Sequence, residues 1–258
     1  MPHVTLLAHT PDCEKLVAAA AKLCYSPAGI GDLLDGLDSA KTADFLRMLT
    51  DLGHQSPLEH AVFTFGVEGV SRAFLAQITR HRIASFSVQS QRYVAEHDFG
   101  YVTPPQISDD IAASEVFRAA MSDAGKTYDK LTDILYQRYA DKLEEQGVAD
   151  KKALSAAKKQ AIEDARFVLP NACDTKMIIT MNARALRGFF AQRCCARAQW
   201  EIRAASREML FLCRKAAPLL FAGTGPPCLS APCPEGKMSC GKQAEMRAEY
   251  NAQLTKDN

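Results

Sequence analysis

Three short strand-like runs stand far apart in the chain, with long stretches of helical periodicity between them. His3–His9 (HVTLLAH), His60–Val67 (HAVFTFGV) and Asp174–Met181 (DTKMIITM) are rich in β-branched, aromatic or alternating residues and read as strands, the first as a short buried one. Apolar residues recur at helical spacing over Asp12–Tyr25, over Asp32–Leu52 in one or two helices, and over Val70–Ile78. Ile107–Arg166 is long, charged and helical, with Gly125 and Gly147 as expected interruptions, and Ala183–Ala217 reads as one or two helices. Pro104 and Pro105 break regular structure within Val102–Gln106. After Phe221 the pattern turns to Gly, Pro and Cys, and about the last 18 residues are polar and expected to fray. Few strands mixed with many helices give the α/β class, α+β in character, as one domain with a long helical segment.

Composition sets the limits. With 258 residues, 47% of them hydrophobic and 24% charged, the chain has ample apolar surface for a core and needs no disulfide staple. Disorder along the whole chain is excluded. So is a membrane-spanning helix, because no apolar run approaches the roughly 20 residues required. Met1–Asp12 carries no Lys or Arg, unlike a secretory or transit leader, so the cytoplasm is the expected address. Nine cysteines, an odd number without a leader, are expected as reduced thiols.

Charge is balanced overall, at 31 basic and 30 acidic residues, but uneven along the chain. Residues 61–93 hold four basic groups and one acid, and residues 165–215 hold ten and three; most of these cations are arginine. Arginine grips phosphate and carboxylate with paired donors. Two such blocks in a nearly neutral protein suit phosphorylated small molecules, whereas a nucleic-acid binder would show a domain-wide basic excess.

The densest constellation is Arg80-His81-Arg82-Ile83-Ala84-Ser85-Phe86-Ser87-Val88-Gln89-Ser90-Gln91-Arg92-Tyr93. Arginines, hydroxyls and backbone N–H groups in one run can cradle a phosphate. Glu68 is the one acid between residues 61 and 95, so a surface turn of local ion pairs explains the run poorly. In His54-Gln55-Ser56-Pro57-Leu58-Glu59-His60, Ser56 and Glu59 have capping-box spacing around Pro57, which reads as a one-turn helix start. A third block is Arg166-Phe167-Val168-Leu169-Pro170, followed by Asn182 to Arg193. On a helix, positions 182, 186, 189 and 193 share one face, while Arg184, Arg187 and Ala191 lie on another. Either one face is solvated or the helix stands between two pockets, an arrangement that implies sites at subunit interfaces. Cys228, Cys233 and Cys240 are a candidate metal set that Cys194 or Cys195 could complete, although their spacing matches no common zinc motif.

Arg80-His81-Arg82 followed by seven residues and Ser90 resembles the R-H-R-x7-S signature of flavin-dependent thymidylate synthases. The blocks at His54–His60, Arg166–Pro170 and Asn182–Arg193, with Trp200-Glu201 beyond, resemble other blocks of that family in the same order, over about residues 54–225. The resemblance implies a central, mostly antiparallel sheet flanked by helices, and a homotetramer with shared sites. It implies methylation of dUMP to dTMP with methylenetetrahydrofolate as carbon donor and FAD, reduced by NADPH, as hydride donor. By the same resemblance Gln77, Arg80, Ser90, Gln91, Arg92, Arg166 and Arg193 bind dUMP. Ser56, Glu59, Arg80, His81, Arg82, Asn182 and Arg184 contact FAD, and His54 stands where folate and NADPH approach. Arg193 matches the arginine that stabilises ionisation at uracil N3. Ser90 is either a binding residue or a nucleophile, and serine is weak in the second role without a base. The implied partners are small molecules, not nucleic acid or membrane.

Two positions depart from the family pattern. Ser87-Val88 stands where the family often has Asn-Glu, with Gln89 or Gln91 as substitutes, and Gly188 replaces an Asn or His that contacts flavin. The expected layout is a synthase-like domain over residues 1–225 and a Cys/Gly/Pro-containing extension over 226–258. Rival readings are a flavin- or nucleotide-binding protein on the same scaffold without methyl transfer, a flavin reductase indifferent to dUMP, and a structural zinc protein built on the C-terminal cysteines.

Overall fold

The computed structural model describes residues 2–92 and 99–254. Tyr93 of the arginine-rich run lies outside them. The elements in order are β1 (His3–His9), α1 (Cys13–Leu23), α2 (Ile30–Asp35), α3 (Ser39–Asp51), β2 (Val62–Ser71), α4 (Arg72–Ile78) and β3 (Ser85–Val88). There follow α5 (Pro105–Ser108), α6 (Ile111–Glu145), α7 (Lys151–Ala165), β4 (Asp174–Asn182), α8 (Ala183–Arg193), α9 (Trp200–Ala216) and α10 (Gln243–Leu254). The class is mixed α/β with an antiparallel four-stranded sheet of order β1-β2-β4-β3.

The chain divides into two compact units. The first comprises Met1–Glu68, Gln77–Ser87 and Met177–Asn258; the second comprises Gly69–Ala76 and Val88–Lys176.

In the first unit, alternation fixes which strand faces are covered. Phe63, Phe65 and Val67 of β2 and Met177, Ile179 and Met181 of β4 are buried, with more accessible residues between them. Phe63 and Phe190 of α8 both pack edge-on against Phe221. β1 differs from its expected burial. It is an edge strand with β2 as its one neighbour, its register slips between Leu6 and Ala8, and Leu7 is exposed. Glu14 of α1 accepts the Leu219 N–H at 2.6 Å.

The expected fraying does not extend to residues 243–254, which form α10. α10 docks with Met246 and Tyr250 buried, and the Tyr250 ring lies beneath the guanidinium groups of Arg214 and Arg207. Its hydroxyl donates to the Cys194 carbonyl at 3.4 Å. Gln243 and Arg247 both donate to the Cys228 carbonyl, so α10 also tethers the cysteine-bearing segment.

The second unit holds the long helices. α6, at 35 residues about 52 Å long, turns at Gly147 (φ 69°) and returns as α7. Tyr139 donates to Asp164 across this hairpin. Gly147 interrupts the helices as expected but Gly125 does not: α6 runs through it, since one helical glycine costs only about 1 kcal/mol. Phe99, Met121 and Cys173 form a local core with Phe117 and Leu169 against it.

Candidate active site

Within the first unit, the turn after α4 and the first two turns of α8 border a cavity of about 670 Å³. Asn182 starts the helix: its Oδ1 accepts the Ala185 N–H at 2.8 Å, which satisfies a first-turn donor. Asn182, Arg184, Arg187 and Gly188 line the cavity, and His81 and Arg82 reach it from the turn. Glu59 is the one acid among the described lining residues, and Arg184 donates to it. That pair is half exposed and therefore weak.

His81 stands at the centre of the polar geometry. Arg193 donates through Nε to His81 Nε2 at 3.2 Å, and the imidazole meets Phe189 edge-on with ring centroids 4.9 Å apart. Burial first, and the Arg193 charge second, hold the His81 pKa below its ordinary value. The imidazole is thus kept neutral and accepts from the arginine. Arg193 has no carboxylate partner among the described residues.

The far wall is the segment Gly223–Pro227. Gly225 adopts φ +150°, and a Cβ there would stand 2.7 Å from Leu229 Cδ1, so glycine is required. Arg214, buried in α9, donates to the Thr224 carbonyl at 2.6 Å and fixes this wall from behind.

The expected residues are not all gathered here. Glu59, His81, Arg82, Asn182 and Arg184 line the cavity, whereas Ser56 and Arg80 are exposed and do not. The one-turn start is present as a 3-10 turn over Ser56–His60, but Ser56 caps nothing: Gln55 holds the cap position, and Glu59 pairs with Arg184. His54 is exposed just after Gly53 (φ 71°). Gln77 donates to Gln199 Oε1 at 3.4 Å, the same atom that caps α9 by accepting from Glu201 and Ile202.

Four of the expected dUMP residues lie in the second unit. Ser90 Oγ accepts the Arg92 N–H at 3.2 Å, a local turn contact. Arg92 makes a two-pronged pair with Glu163 of α7, at 2.7 and 2.9 Å. The absence of nearby acids in sequence therefore misled, because the partner lies 71 positions away. Gln91 Nε2 is buried with no acceptor among the described residues. Arg166 starts a 3-10 turn with its guanidinium over the exposed Phe167 ring.

Sequence reasoning gave Arg187 no ligand role. It lines the cavity, and burial alone lowers its pKa. Its spacing of three from Arg184 was the available signal. The Gly223–Pro227 wall gave none, since nothing local distinguishes it from an ordinary turn.

α8 stands between two cavities. Arg184 and Arg187 face the large one. Arg193 lines a second, of about 410 Å³, which also holds Cys195, Cys228, Cys233 and Cys240. Both belong to the first unit.

The profile of the family described as "Thymidylate synthase complementing protein" matches residues 5–219. Proteins named flavin-dependent thymidylate synthase are similar over almost the whole chain. The one from Clostridium tetani is 52% identical, over 96% of this chain and 96% of its own. The one from Geobacter sulfurreducens is 48% identical, over 95% and 96% respectively. The chain belongs to this family. The enzyme class and the flavin dependence expected from the R-H-R-x7-S run follow from that membership. Among the described residues no helix is long and apolar enough to cross a membrane.

Proposed function

We propose that this chain makes dTMP from dUMP, with methylenetetrahydrofolate as carbon donor and FAD as the hydride carrier that NADPH recharges. The observation that carries the reading is the 670 Å³ cavity, where Arg82 and Arg187 have no carboxylate partner among the described residues beside the His81–Arg193 pair.

That cavity suits FAD. Its volume falls in the ~300–1,000 Å³ range of ligand sites. Its cations match a diphosphate, Phe189 and Met181 offer apolar contact, and Gly188 leaves open space where a Cβ would meet nothing within 4 Å. Glu59, His81, Arg82, Asn182 and Arg184 would hold the cofactor, with Arg187 added and Ser56 and Arg80 at its approach. Bound and reduced, FAD supplies the hydride that completes the methyl group.

The chain's own residues bind and polarise. The net change replaces the uracil C5–H with C5–CH3: the methylene carbon's two bonds to folate nitrogen break, one hydride arrives at that carbon, and the two nitrogens take up two protons, one balanced by the departing C5 proton and one from solvent. NADPH becomes NADP+ and folate leaves as tetrahydrofolate. Arg193, held at Nε by neutral His81, keeps its remaining N–H groups for negative charge developing on the uracil ring. Gln77, Arg80, Ser90, Gln91, Arg92 and Arg166 bind dUMP. The Gln91 Nε2 group, without an acceptor among the described residues, suits a pyrimidine carbonyl, and the exposed Arg92–Glu163 pair is cheap to exchange for phosphate. Ser90 binds rather than attacks, because its hydroxyl contacts only the Arg92 N–H among the described residues and has no base. His54 serves the approach of folate and NADPH. The active form is a cytoplasmic homotetramer, a reading supported by the two cation-bearing faces of α8.

The test is a visible spectrum of the purified protein, then NADPH with and without dUMP. Bound oxidised flavin that bleaches faster with dUMP, followed by dTMP formation, is expected. No flavin even after incubation with FAD would favour a binding protein on this scaffold. NADPH oxidation indifferent to dUMP would favour a flavin reductase. Ser90→Ala is expected to raise the KM for dUMP more than it lowers kcat; complete loss at saturating dUMP with flavin intact would make Ser90 the nucleophile.

A further inference from the structure

The cysteines around the smaller cavity do not supply a site: among the described residues no group of three His, Cys, Asp or Glu side chains could hold a metal ion. The wall of the larger cavity carries an inference of its own. Arg214 of α9 is 8% exposed, and its Nε and Nη1 are buried with no acceptor among the described residues. An apolar side chain of similar volume would pack such a place better than a cation left partly satisfied. What the arginine does there is grip the wall. Its Nη2 donates to the Thr224 carbonyl at 2.6 Å, and its guanidinium lies over the Tyr250 ring, 5.6 Å from the centroid. The same ring backs Gly225, where a Cβ would stand 3.4 Å from Tyr250 Cε1. The Thr224–Gly225 peptide is thus fixed in direction as well as in place.

Fixing that carbonyl fixes a donor. No peptide bond among the described residues is cis, so the N–H of the Thr224–Gly225 peptide points opposite to its carbonyl, away from Arg214. Thr224 and Gly225 line the larger cavity and Arg214 does not. Gly225 is buried, yet its N–H has no acceptor among the described residues. Buried backbone N–H groups are seldom left so. We propose that the Gly225 N–H is a hydrogen-bond donor to the flavin and that Arg214 is the positioning residue that aims it. This rests on the reading of the cavity as the flavin site, and it adds a contact that neither the R-H-R-x7-S run nor α8 supplies. The acceptor is an oxygen of the diphosphate or the N1–C2=O edge of the isoalloxazine ring. A donor held in direction before the cofactor arrives needs no reorganisation on binding. Glycine leaves the backbone bare for that approach.

The first test needs no variant. Hydrogen exchange of the intact protein is read by mass spectrometry with and without FAD, in overlapping peptides that differ at Gly225. Pro226 and Pro227 carry no N–H, which isolates its signal. FAD is expected to slow exchange at Gly225 by about tenfold or more. Arg214→Met is expected to keep the wild-type thermal midpoint, to weaken FAD about tenfold in equilibrium dialysis and to abolish that protection. Arg214→Lys, which returns a donor toward Thr224, is expected to recover much of both. Arg207→Met is the control. Arg207 also lies over the Tyr250 ring and pairs with Glu249, but Thr224 is held by Arg214, so FAD affinity is expected to be unchanged. The flavin midpoint potential separates the two acceptors: a shift in Arg214→Met assigns the ring edge, and weaker FAD at an unchanged potential assigns the diphosphate. The proposal is overturned by Gly225 exchange that saturating FAD does not slow, or by wild-type FAD affinity in Arg214→Met. An equal loss in Arg207→Met would also overturn it, by making the effect one of packing around Tyr250. Wild-type protein that binds no FAD would overturn the flavin reading along with this one; the other results, obtained with FAD bound, overturn this one alone.

Discussion

The two cavities that meet α8 share guanidinium groups and differ in what stands beside them. The larger adds an imidazole and the backbone of a glycine-containing turn; the smaller adds four thiols beside Arg193 and the Arg197–Glu235 pair. They share Ala191, Gln192 and Pro227 at their borders. The first set is hard and cationic, suited to phosphates. The second sets soft thiols among charged groups of both signs. One helix serves both because successive arginines, at spacings of three and six, fall on different sides of it. The difference teaches that ligand class is written in side-chain chemistry and not in the size or shape of a hollow.

The largest test of that separation is Arg193→Ala. Turnover is expected to fall by about 10²–10³-fold, the usual cost of removing a group that stabilises developing charge. Flavin retention is expected to hold, and wild-type turnover would remove Arg193 from the chemistry. Arg187→Ala comes next. Loss of a charge-assisted contact to phosphate is worth roughly 10–100-fold in FAD affinity, read by equilibrium dialysis, with no change at the thiol cavity.

His81 gives a smaller and pH-dependent effect. Its folded pKa lies below the ordinary value of 6.5, so between those two values the unfolded chain binds more protons than the native one. The contribution is present above pH 6.5 and is lost as pH falls through the folded pKa. Protonation also removes the acceptor for Arg193. Activity is therefore expected to drop several-fold on the acid side of about pH 6.5. His81→Gln, which retains an acceptor without that titration, is expected to flatten this limb; an unchanged profile would place its origin elsewhere. The smallest effect is at Gly188. A Cβ there meets nothing within 4 Å and the position is helical, so Gly188→Ala is expected to add about 0.5–1 kcal/mol in urea unfolding while flavin stays bound.

The parts of the fold legible in sequence were those with a local period. β2 and β4 alternate cleanly, and α8 is announced by Asn182 and its apolar positions. β3, Ser85–Val88, alternates, with Phe86 and Val88 half-buried and Ser85 and Ser87 exposed, but four residues inside a polar run whose residues read as ligand groups are too short to announce a strand. α10 was missed because Met246 and Tyr250 are two large apolar residues in a polar stretch, and their burial depends on α9 and its arginines. In the site, the family resemblance grouped Ser56, Glu59, Arg80, His81, Arg82, Asn182 and Arg184, and all but Ser56 and Arg80 line the larger cavity. Their pairings were out of reach: His81 with Arg193 spans 112 positions and Glu59 with Arg184 spans 125. Arg187 required the helix face and the cavity together.

The docking of α10 has a consequence for the order in which the protein is completed. Gln243 and Arg247 hold the Cys228 carbonyl, and Tyr250 lies under Arg214, whose guanidinium holds Thr224. In synthesis these anchors follow all the strands and the other helices of both units. Until they emerge, the wall of the larger cavity and the thiol-bearing segment lack their fastening. A nascent chain stalled before residue 243 would thus carry every residue of the R-H-R-x7-S run and still present an unfinished site.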